Sequence, residues 1–368
     1  MESVVIQPAF WLGKRILITG HTGFKGSWLA LWLHSLGAKV FGYALDPPTE
    51  PNLFSLAHVG DRVTSFRGDV RDIAGLRIVA REVRPQIIFH LAAQSVVRTS
   101  YIEPLDTYTT NIIGTVNLLE IMRSCNDLRA AVIVTSDKCY ENREWLWGYR
   151  ENEPLGGRDP YSSSKACAEL VTAAYCASFF NTKNHGSEVG IATARAGNVI
   201  GGGDWTKDRL IPDVMRAIIA SQPVSIRNPH AIRPWQHVLE PLAGYLLLAE
   251  RLWESGADFA GGWNFGPAEQ DVRPVHWIAN RLIDQWGGRI EYSKEGEQPH
   301  EANYLTLDSA KARAKLGWNP RWDIDTALDA ITSWYKAYQA KKDMATVVLN
   351  QISEYLKSPA AKKIQSNA

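Results

Sequence analysis

The stretch Ile16-Leu-Ile-Thr-Gly20-His-Thr-Gly23-Phe-Lys-Gly26-Ser-Trp-Leu sets what this chain can fold into. It reads as a short apolar strand, a glycine turn, then an amphipathic helix. Gly20, Gly23 and Gly26 let the turn tighten, let backbone approach a pyrophosphate, and let the helix pack closely on the strand. A phosphate there would meet the N–H groups of a helix N-terminus, where the macrodipole favours an anion. Thr22 and Phe24 belong to the same turn. The spacing is G-x-x-G-x-x-G, and a lone glycine triplet also describes an ordinary strand-to-helix turn. The setting carries the nucleotide reading, because further strand–helix units follow.

Lys39-Val-Phe-Gly-Tyr-Ala-Leu-Asp46 is a second strand ending in an acid about 20 residues past the last glycine, where a carboxylate accepts adenosine ribose hydroxyls. Such an acid repels a 2′-phosphate, so the expected cofactor is NAD; a turn acid before Pro47-Pro48 is the plainer reading. Asp69-Val70 closes a third strand and offers an adenine edge contact, and Asp72 is placed to cap the next helix. Gln86-Ile-Ile-Phe-His-Leu91-Ala92-Ala93-Gln94 reads as a strand buried on both faces, with small residues at its end that admit a cofactor. A helix is expected from about Pro104 to Cys125. Ala130-Ala-Val-Ile-Val-Thr135 is another buried strand, and Ser136-Asp137-Lys138 stands at its carboxyl end, where ligands gather in open parallel sheets. Asp159-Pro-Tyr161-Ser-Ser-Ser-Lys165 opens a long helix with Tyr161 and Lys165 on one face. Val189 to Arg195 is a sixth strand.

Strands alternating with helices predict an α/β fold with a doubly wound parallel sheet and right-handed crossovers, a Rossmann domain over residues 1–197. Past Asn198 the composition shifts toward short strands and loops rich in Trp, Pro and Arg. A smaller C-terminal α/β substrate lobe is expected over residues 198–356, with the chain free to cross back to the sheet, and a frayed tail over 357–368. Gly201-Gly-Gly-Asp-Trp205 reads as a flexible loop. The 14 tryptophans are taken mostly as core and interface filling.

Composition removes whole classes of function. With 40 Lys+Arg against 39 Asp+Glu, the net charge of +1 gives no field for nucleic acid or a membrane surface. No apolar run is long enough to span a bilayer, and no secretory signal is evident. The four cysteines show no metal spacing and fit reduced thiols in a cytoplasmic protein. No metal is expected.

Gly20-His-Thr-Gly23-Phe-Lys-Gly26, Asp69-Val70, Leu91-Ala-Ala93, Asn111, Tyr161-x-x-x-Lys165 and Arg195-x-x-Asn198 stand in the order of the extended short-chain dehydrogenase/reductase family. Within it the chain resembles the nucleotide-sugar 4,6-dehydratases, whose mark is a hydroxyl residue, Asp and a second acid/base group at the end of the fifth strand. Most members carry Asp-Glu there, and this chain has Asp137-Lys138. That departure, with Gly201-Gly-Gly-Asp-Trp205 and Arg233-Pro-Trp-Gln-His-Val, resembles the branch acting on CDP-glucose.

The resemblance implies removal of water from CDP-glucose, giving CDP-4-keto-6-deoxyglucose, with NAD as a retained cofactor and deoxysugars of surface polysaccharide as the destination. Tyr161 takes the 4-hydroxyl proton once Lys165 and the nicotinamide lower its pKa, which is near ~10 when free. Lys165 also binds the nicotinamide ribose, and Ser136 orients the 4-hydroxyl. The resemblance makes Asp137 the acid for the departing 6-hydroxyl and Lys138 the base for the C5 proton. Asn198 and Arg233 are candidates for the diphosphate, with Arg209 and His300 behind them. A homodimer built as a four-helix bundle, or a tetramer, is also implied. A nucleotide-sugar 4-epimerase or another 4,6-dehydratase is the alternative; an epimerase has no need of Asp137-Lys138.

Overall fold

The computed structural model describes residues 6–180, 189–292 and 304–359. Seven strands form the main sheet: β1 (Arg15–Thr19), β2 (Lys39–Ala44), β3 (Thr64–Arg67), β4 (Ile87–His90), β5 (Ala130–Val134), β6 (Gly190–Ala196) and β11 (Gly261–Phe265). Their order is β11-β6-β5-β4-β1-β2-β3 and every pairing is parallel. The winding direction reverses between β1 and β4, which opens a crevice at the carboxyl ends. The sequence predicted six of these strands. The seventh comes from beyond residue 197, so the chain does return to the sheet.

Strand alternation divides the core. Ile16, Ile18, Ile87, Phe89 and Val132 face one buried cluster; Leu17, Ile88, Ala131 and Ile133 face another. The second cluster packs under α2 (Ile73–Val83), α4 (Gly114–Met122) and α5 (Pro160–Tyr175). The first packs under α1 (Phe24–Ser35) and α7 (Leu239–Ser255). α1 was expected to be amphipathic, yet every residue from Gly26 to Leu33 is buried. The C-terminal α10 (Met344–Lys357) covers its outer side, with Trp32 edge-on to Tyr355 at 5.8 Å. A helix covered on all sides has no reason to keep a polar face.

The expected helix from Pro104 is α3 (Pro104–Tyr108), a π turn (Thr109–Ile113) and α4 in succession. Asp72 caps α2 by accepting from the N–H groups of Ala74 and Gly75, and Asp159 caps α5 by accepting from Ser162. The lobe contributes short strands β7 (Val199–Ile200), β8 (Val224–Ile226), β9 (Ile232–Pro234), β10 (Gln236–His237), β12 (Val272–Pro274) and β13 (Ile290–Tyr292). Between them lie α6 (Leu210–Ile219) and α8 (Val275–Trp286), and α9 (Ile324–Gln339) follows.

Gly201–Trp205 is not a flexible loop. All five residues are buried, Trp28 Nε1 donates to the Gly202 carbonyl at 3.0 Å, and Tyr335 donates to the Asp204 carbonyl at 2.6 Å. A Cβ on Gly202 would lie 2.1 Å from the Trp334 ring, so glycine here serves close packing. Trp11, Trp28, Trp32, Trp263, Trp318 and Trp334 are fully buried, as core filling predicted. Of the expected tail, residues 360–368 lie outside the described residues.

Glu240 on α7 ties the C-terminal segment down. Its Oε1 accepts from the N–H groups of Arg321 and Trp322 at 2.9 and 2.8 Å, and its Oε2 accepts from the Tyr355 hydroxyl at 2.8 Å. Burial pushes its pKa up to about 7 against those bonds. The folded state then holds a proton that the unfolded chain releases near its ordinary 4.5, so stability falls as pH rises from about 4.5 to about 7. Glu240→Gln keeps the Oε1 acceptor and removes this titration. Thermal melts should show wild type losing on the order of 3 kcal/mol relative to the variant across that window.

Candidate active site

One cavity of about 770 Å³ opens at the carboxyl ends of the sheet strands. Gly20, Thr22, Gly23, Phe24, Gly26, Asp46, Asp69, Val70, Leu91, Ala92 and Ala93 line it. So do Ser136, Asp137, Lys138, Tyr161 and Lys165, together with Asn198, Arg209 and Arg233 from the lobe. His300 lies outside the described residues. The structure therefore brings the other candidate cofactor, substrate and catalytic residues to one cavity, while Asn111 and Arg195, also named from the sequence, do not line it.

The three glycines of the first turn have different work. Gly20 has φ +76°, and a Cβ on it would sit 2.7 Å from the Ala92 nitrogen. A Cβ on Gly26 would lie 2.1 Å from the Gly20 carbonyl oxygen. These two close the turn and seat helix on strand. Gly23 meets nothing nearer than that same oxygen at 3.4 Å, so its bare side faces the cavity. It is also the N-cap of α1 and supplies no side-chain cap. The Thr22 hydroxyl donates to the Leu45 carbonyl at 2.9 Å and fixes the loop. A glycine cradle at an uncapped helix N-terminus fits a dinucleotide pyrophosphate.

Asp46 stands at the cavity edge, 87% exposed, with Arg67 Nε 3.2 Å away. Sequence reading named the acid and missed the arginine, which is brought alongside by β3. Asp69 is held below its ordinary pKa by hydrogen bonds from Arg71, whose Nε donates at 2.8 Å. Asn111, in the π turn, accepts from the Gln94 N–H at 2.9 Å and donates to Ser164 Oγ at 2.8 Å. It joins the end of β4 to α5.

The reactive groups meet where β5 ends and α5 begins. Ser136 donates to Asp137 Oδ1 at 3.0 Å and accepts from the Lys138 N–H at 3.2 Å. Asp137 is 3% exposed, and its Oδ2 has no hydrogen-bond partner. Gly197 leaves it room, since a Cβ there would sit 2.8 Å from Oδ2. Burial raises the Asp137 pKa, opposed first by the Lys138 charge and then by the Ser136 bond, Arg233 and Lys25. The arrangement is a buried carboxyl disposed to keep a proton, beside a lysine.

Burial pushes the Tyr161 phenol up to about 12, with the Ser136 hydrogen bond and Arg209 opposing. The lowering expected from Lys165 together with the nicotinamide belongs to the loaded site; here burial of the phenol dominates, and the Lys165 ammonium donates to the Val134 carbonyl at 3.3 Å. Lys165 is itself lowered to about 8 by burial, against Glu169 and Cys139.

Arg209 is fixed from both ends of its guanidinium, donating to the buried Asp204 carboxylate at 3.0 Å and to Ser95 Oγ at 2.8 Å. Arg233 is buried on β9 and donates to the Ile232 carbonyl at 3.0 Å. The Asn198 carbonyl accepts from the Gln236 N–H at 3.2 Å, which binds the loop after β6 to β10. Lys25 was quoted within the glycine motif but not singled out. It lines the cavity, and its pKa falls to about 7 through burial and the Arg209 and Lys165 charges. Lysine between Phe24 and Gly26 is an apolar slot filled by a cation, which is the signal that was available. Among the described residues, no cluster of three His, Cys, Asp or Glu side chains could hold a metal, and no helix is long and apolar enough to cross a membrane.

Known proteins share this architecture and sequence. The family model for GDP-mannose 4,6 dehydratase matches residues 17–331. The chain is 53% identical over 354 residues to CDP-glucose 4,6-dehydratase of Salmonella typhimurium, covering 96% of this chain and 99% of that one. It is 28% identical to dTDP-glucose 4,6-dehydratase of Streptomyces griseus, covering 88% and 95%. Among solved structures, UDP-glucose 4-epimerase of Thermotoga maritima superimposes with a TM-score of 0.75 at 20% identity, covering 88% and 99%. dTDP-glucose 4,6-dehydratase of Bacillus anthracis, crystallised with NAD, gives 0.72 at 22%, covering 90% and 100%. At those identities the structures speak for the fold, and the sequence matches speak for the family. A glycine cradle, a buried Ser-Asp-Lys strand end and a Tyr-x-x-x-Lys helix around one cavity agree with both, and this chain belongs to the nucleotide-sugar 4,6-dehydratase family described by the GDP-mannose 4,6 dehydratase model.

Proposed function

We propose that this chain converts CDP-glucose to CDP-4-keto-6-deoxyglucose and water, without net redox change, using bound NAD. The observation that carries the reading is the buried Asp137 carboxyl with its partnerless Oδ2 beside Lys138, in the cavity that also holds Tyr161 and Lys165. An epimerase of the same fold returns hydrogen to C4 and has no use for a second acid–base pair. The 53% identity to a CDP-glucose 4,6-dehydratase supports the choice of nucleotide.

Gly20, Gly23 and Gly26 would hold the dinucleotide pyrophosphate, Asp46 the adenosine ribose, Asp69 and Val70 the adenine, and Lys165 the nicotinamide ribose. NAD, when bound, would supply the acceptor for the C4 hydride, the donor that returns it to C6, and the positive charge of its ring. Tyr161 takes the 4-hydroxyl proton while Ser136 orients that hydroxyl. Once C4 is a ketone the C5 proton is acidic. Lys138 removes it, and Asp137 gives its own proton to the departing 6-hydroxyl, so water leaves. Lys138 then gives its proton back to C5 as hydride reaches C6, and the proton taken by Tyr161 is the one that restores Asp137; Asp137 and Lys138 act as a coupled unit. Arg233 and Asn198, with Arg209 as a further candidate, grip the diphosphate and keep the sugar in one pose. The four free cysteines support a reducing compartment, and the cytoplasm is the site of action under this reading.

The reading is tested by incubating the purified protein with the CDP-, dTDP- and UDP-glucose and GDP-mannose substrates in parallel. A 4-keto-6-deoxy product is expected from CDP-glucose at a kcat/KM at least ~100-fold above the others. Epimerised sugar from any of them, with no loss of water, overturns it.

The same reading includes a homodimer. Ile102, Leu105 and Ile113 on the segment through α3 and α4, and Leu170 on the neighbouring α5, are exposed apolar side chains. Pairing them across a two-fold axis gives a four-helix bundle. Leu105→Glu should turn a sedimenting dimer, or a tetramer built from it, into smaller species; a wild-type monomer at micromolar concentration contradicts the proposal.

A further inference from the structure

Glu169 lies one helical turn past Lys165 on α5 and takes no part in the chemistry above. It is 4% exposed, and both of its oxygens are committed. Oε1 accepts from Thr135 Oγ1 at 2.5 Å. Oε2 accepts from Thr193 Oγ1 at 2.6 Å and from Arg195 Nη2 at 2.7 Å. Thr135 immediately precedes Ser136, so the first bond ties the helix of Tyr161 and Lys165 to the strand end of Ser136, Asp137 and Lys138. Arg195 Nη1 donates to the Tyr140 hydroxyl at 2.6 Å, and that hydroxyl donates to Asn264 Oδ1 at 2.8 Å on β11. Room for the guanidinium comes from Gly262, where a Cβ would sit 2.5 Å from Arg195 Nη2. This buried ion pair links α5 to the end of β5, to β6 and, through Tyr140, to β11.

A buried carboxylate with three donors costs desolvation that apolar packing would avoid. Its place between the two catalytic segments suggests what that cost obtains. We propose that Glu169 is a positioning residue, which clamps the end of β5 to α5 through Thr135 and whose charge keeps Lys165 in its cationic form. The proposal rests on the reading of Tyr161 and Lys165 given above.

The electrostatics agree. Glu169 is the foremost group opposing the burial that brings Lys165 to about 8, ahead of Cys139. The other groups facing Lys165 do not supply that support. Burial keeps the Cys139 thiol well above its ordinary value and brings His90 on β4 down to about 3, so both are neutral near pH 7, while Lys25 on α1 is itself a cation source. Removing the Glu169 charge therefore moves the Lys165 pKa further down, and activity that needs the cation is lost at a lower pH.

The test compares Glu169→Gln, Thr135→Val and Thr193→Val in the full-length enzyme, measuring kcat against pH, KM and Tm. For Glu169→Gln the alkaline limb of kcat should move to lower pH by about one unit, with roughly a fivefold loss near pH 8, approaching tenfold at higher pH, and an unchanged KM. Thr135→Val cuts the clamp without touching charge, so kcat should fall several-fold with the limb in place. Thr193→Val removes an equivalent bond on the side away from Ser136 and should leave kcat at the wild-type value. A limb that stays put in Glu169→Gln, or equal losses in the two threonine variants, overturns the proposal. If Glu169→Gln does not fold, the threonine pair decides alone. Wild-type turnover in Tyr161→Phe would instead remove the underlying site reading, whatever Glu169 does.

Discussion

Tyr161→Phe should lower kcat on CDP-glucose by roughly 10³-fold, with KM nearly unchanged. The phenol is the group placed to take the 4-hydroxyl proton, and in this structure its pKa lies at about 12. Without substrate and cofactor it is a reluctant acid, so proton removal has to be driven by the charge that gathers around it in the loaded site. Phenylalanine fills the same space and loses only the Ser136 hydrogen bond, so Tm should shift by no more than about 1–2 °C. A variant that folds, binds substrate and turns over at the wild-type rate contradicts the assignment.

Asp137→Asn should separate the halves of the reaction. Asparagine keeps the Oδ1 acceptor for Ser136 but has no proton to give a departing hydroxyl, so release of water should fall by roughly 10³-fold. Lys138 remains, and C5 of recovered substrate should still exchange with deuterated solvent. Lys138→Met is the complement, because it should abolish that exchange as well. Burial raises the Asp137 pKa, so wild type keeps the acid form to higher pH than a free carboxyl does, and elimination is lost as pH climbs through that raised value. If Asp137→Asn eliminates water normally, or loses C5 exchange while Lys138→Met keeps it, the roles of acid and base are wrongly given.

Local pattern disclosed much of this architecture. Short apolar runs such as Ile87–Phe89 and Ala130–Val134, bounded by turn signals, read as strands covered on both faces, and the glycines at 20 and 26 mark a turn where backbone touches backbone. Ser136 and Tyr161 are far apart in the chain but close in space because parallel strands put their carboxyl ends together. What stayed hidden depends on covering partners. α1 looks amphipathic until α10 arrives from more than three hundred residues away, and Gly201–Trp205 looks mobile until Trp334 packs on it. The upward push that burial gives the Tyr161 phenol was hidden for the same reason, since a motif carries no depth of burial. Arg67 was missed because a single cation in a strand has no spacing to betray it, and Lys25 because its only mark is a charge set in the glycine turn.

The central claim is that the hydrogen leaving C4 of the sugar is the one that arrives at C6. CDP-glucose carrying deuterium at C4 is the direct probe. The product should hold that deuterium in its C6 methyl group, read by NMR. Recovery of the label in solvent, on released dinucleotide or back at C4 of the sugar would contradict the account.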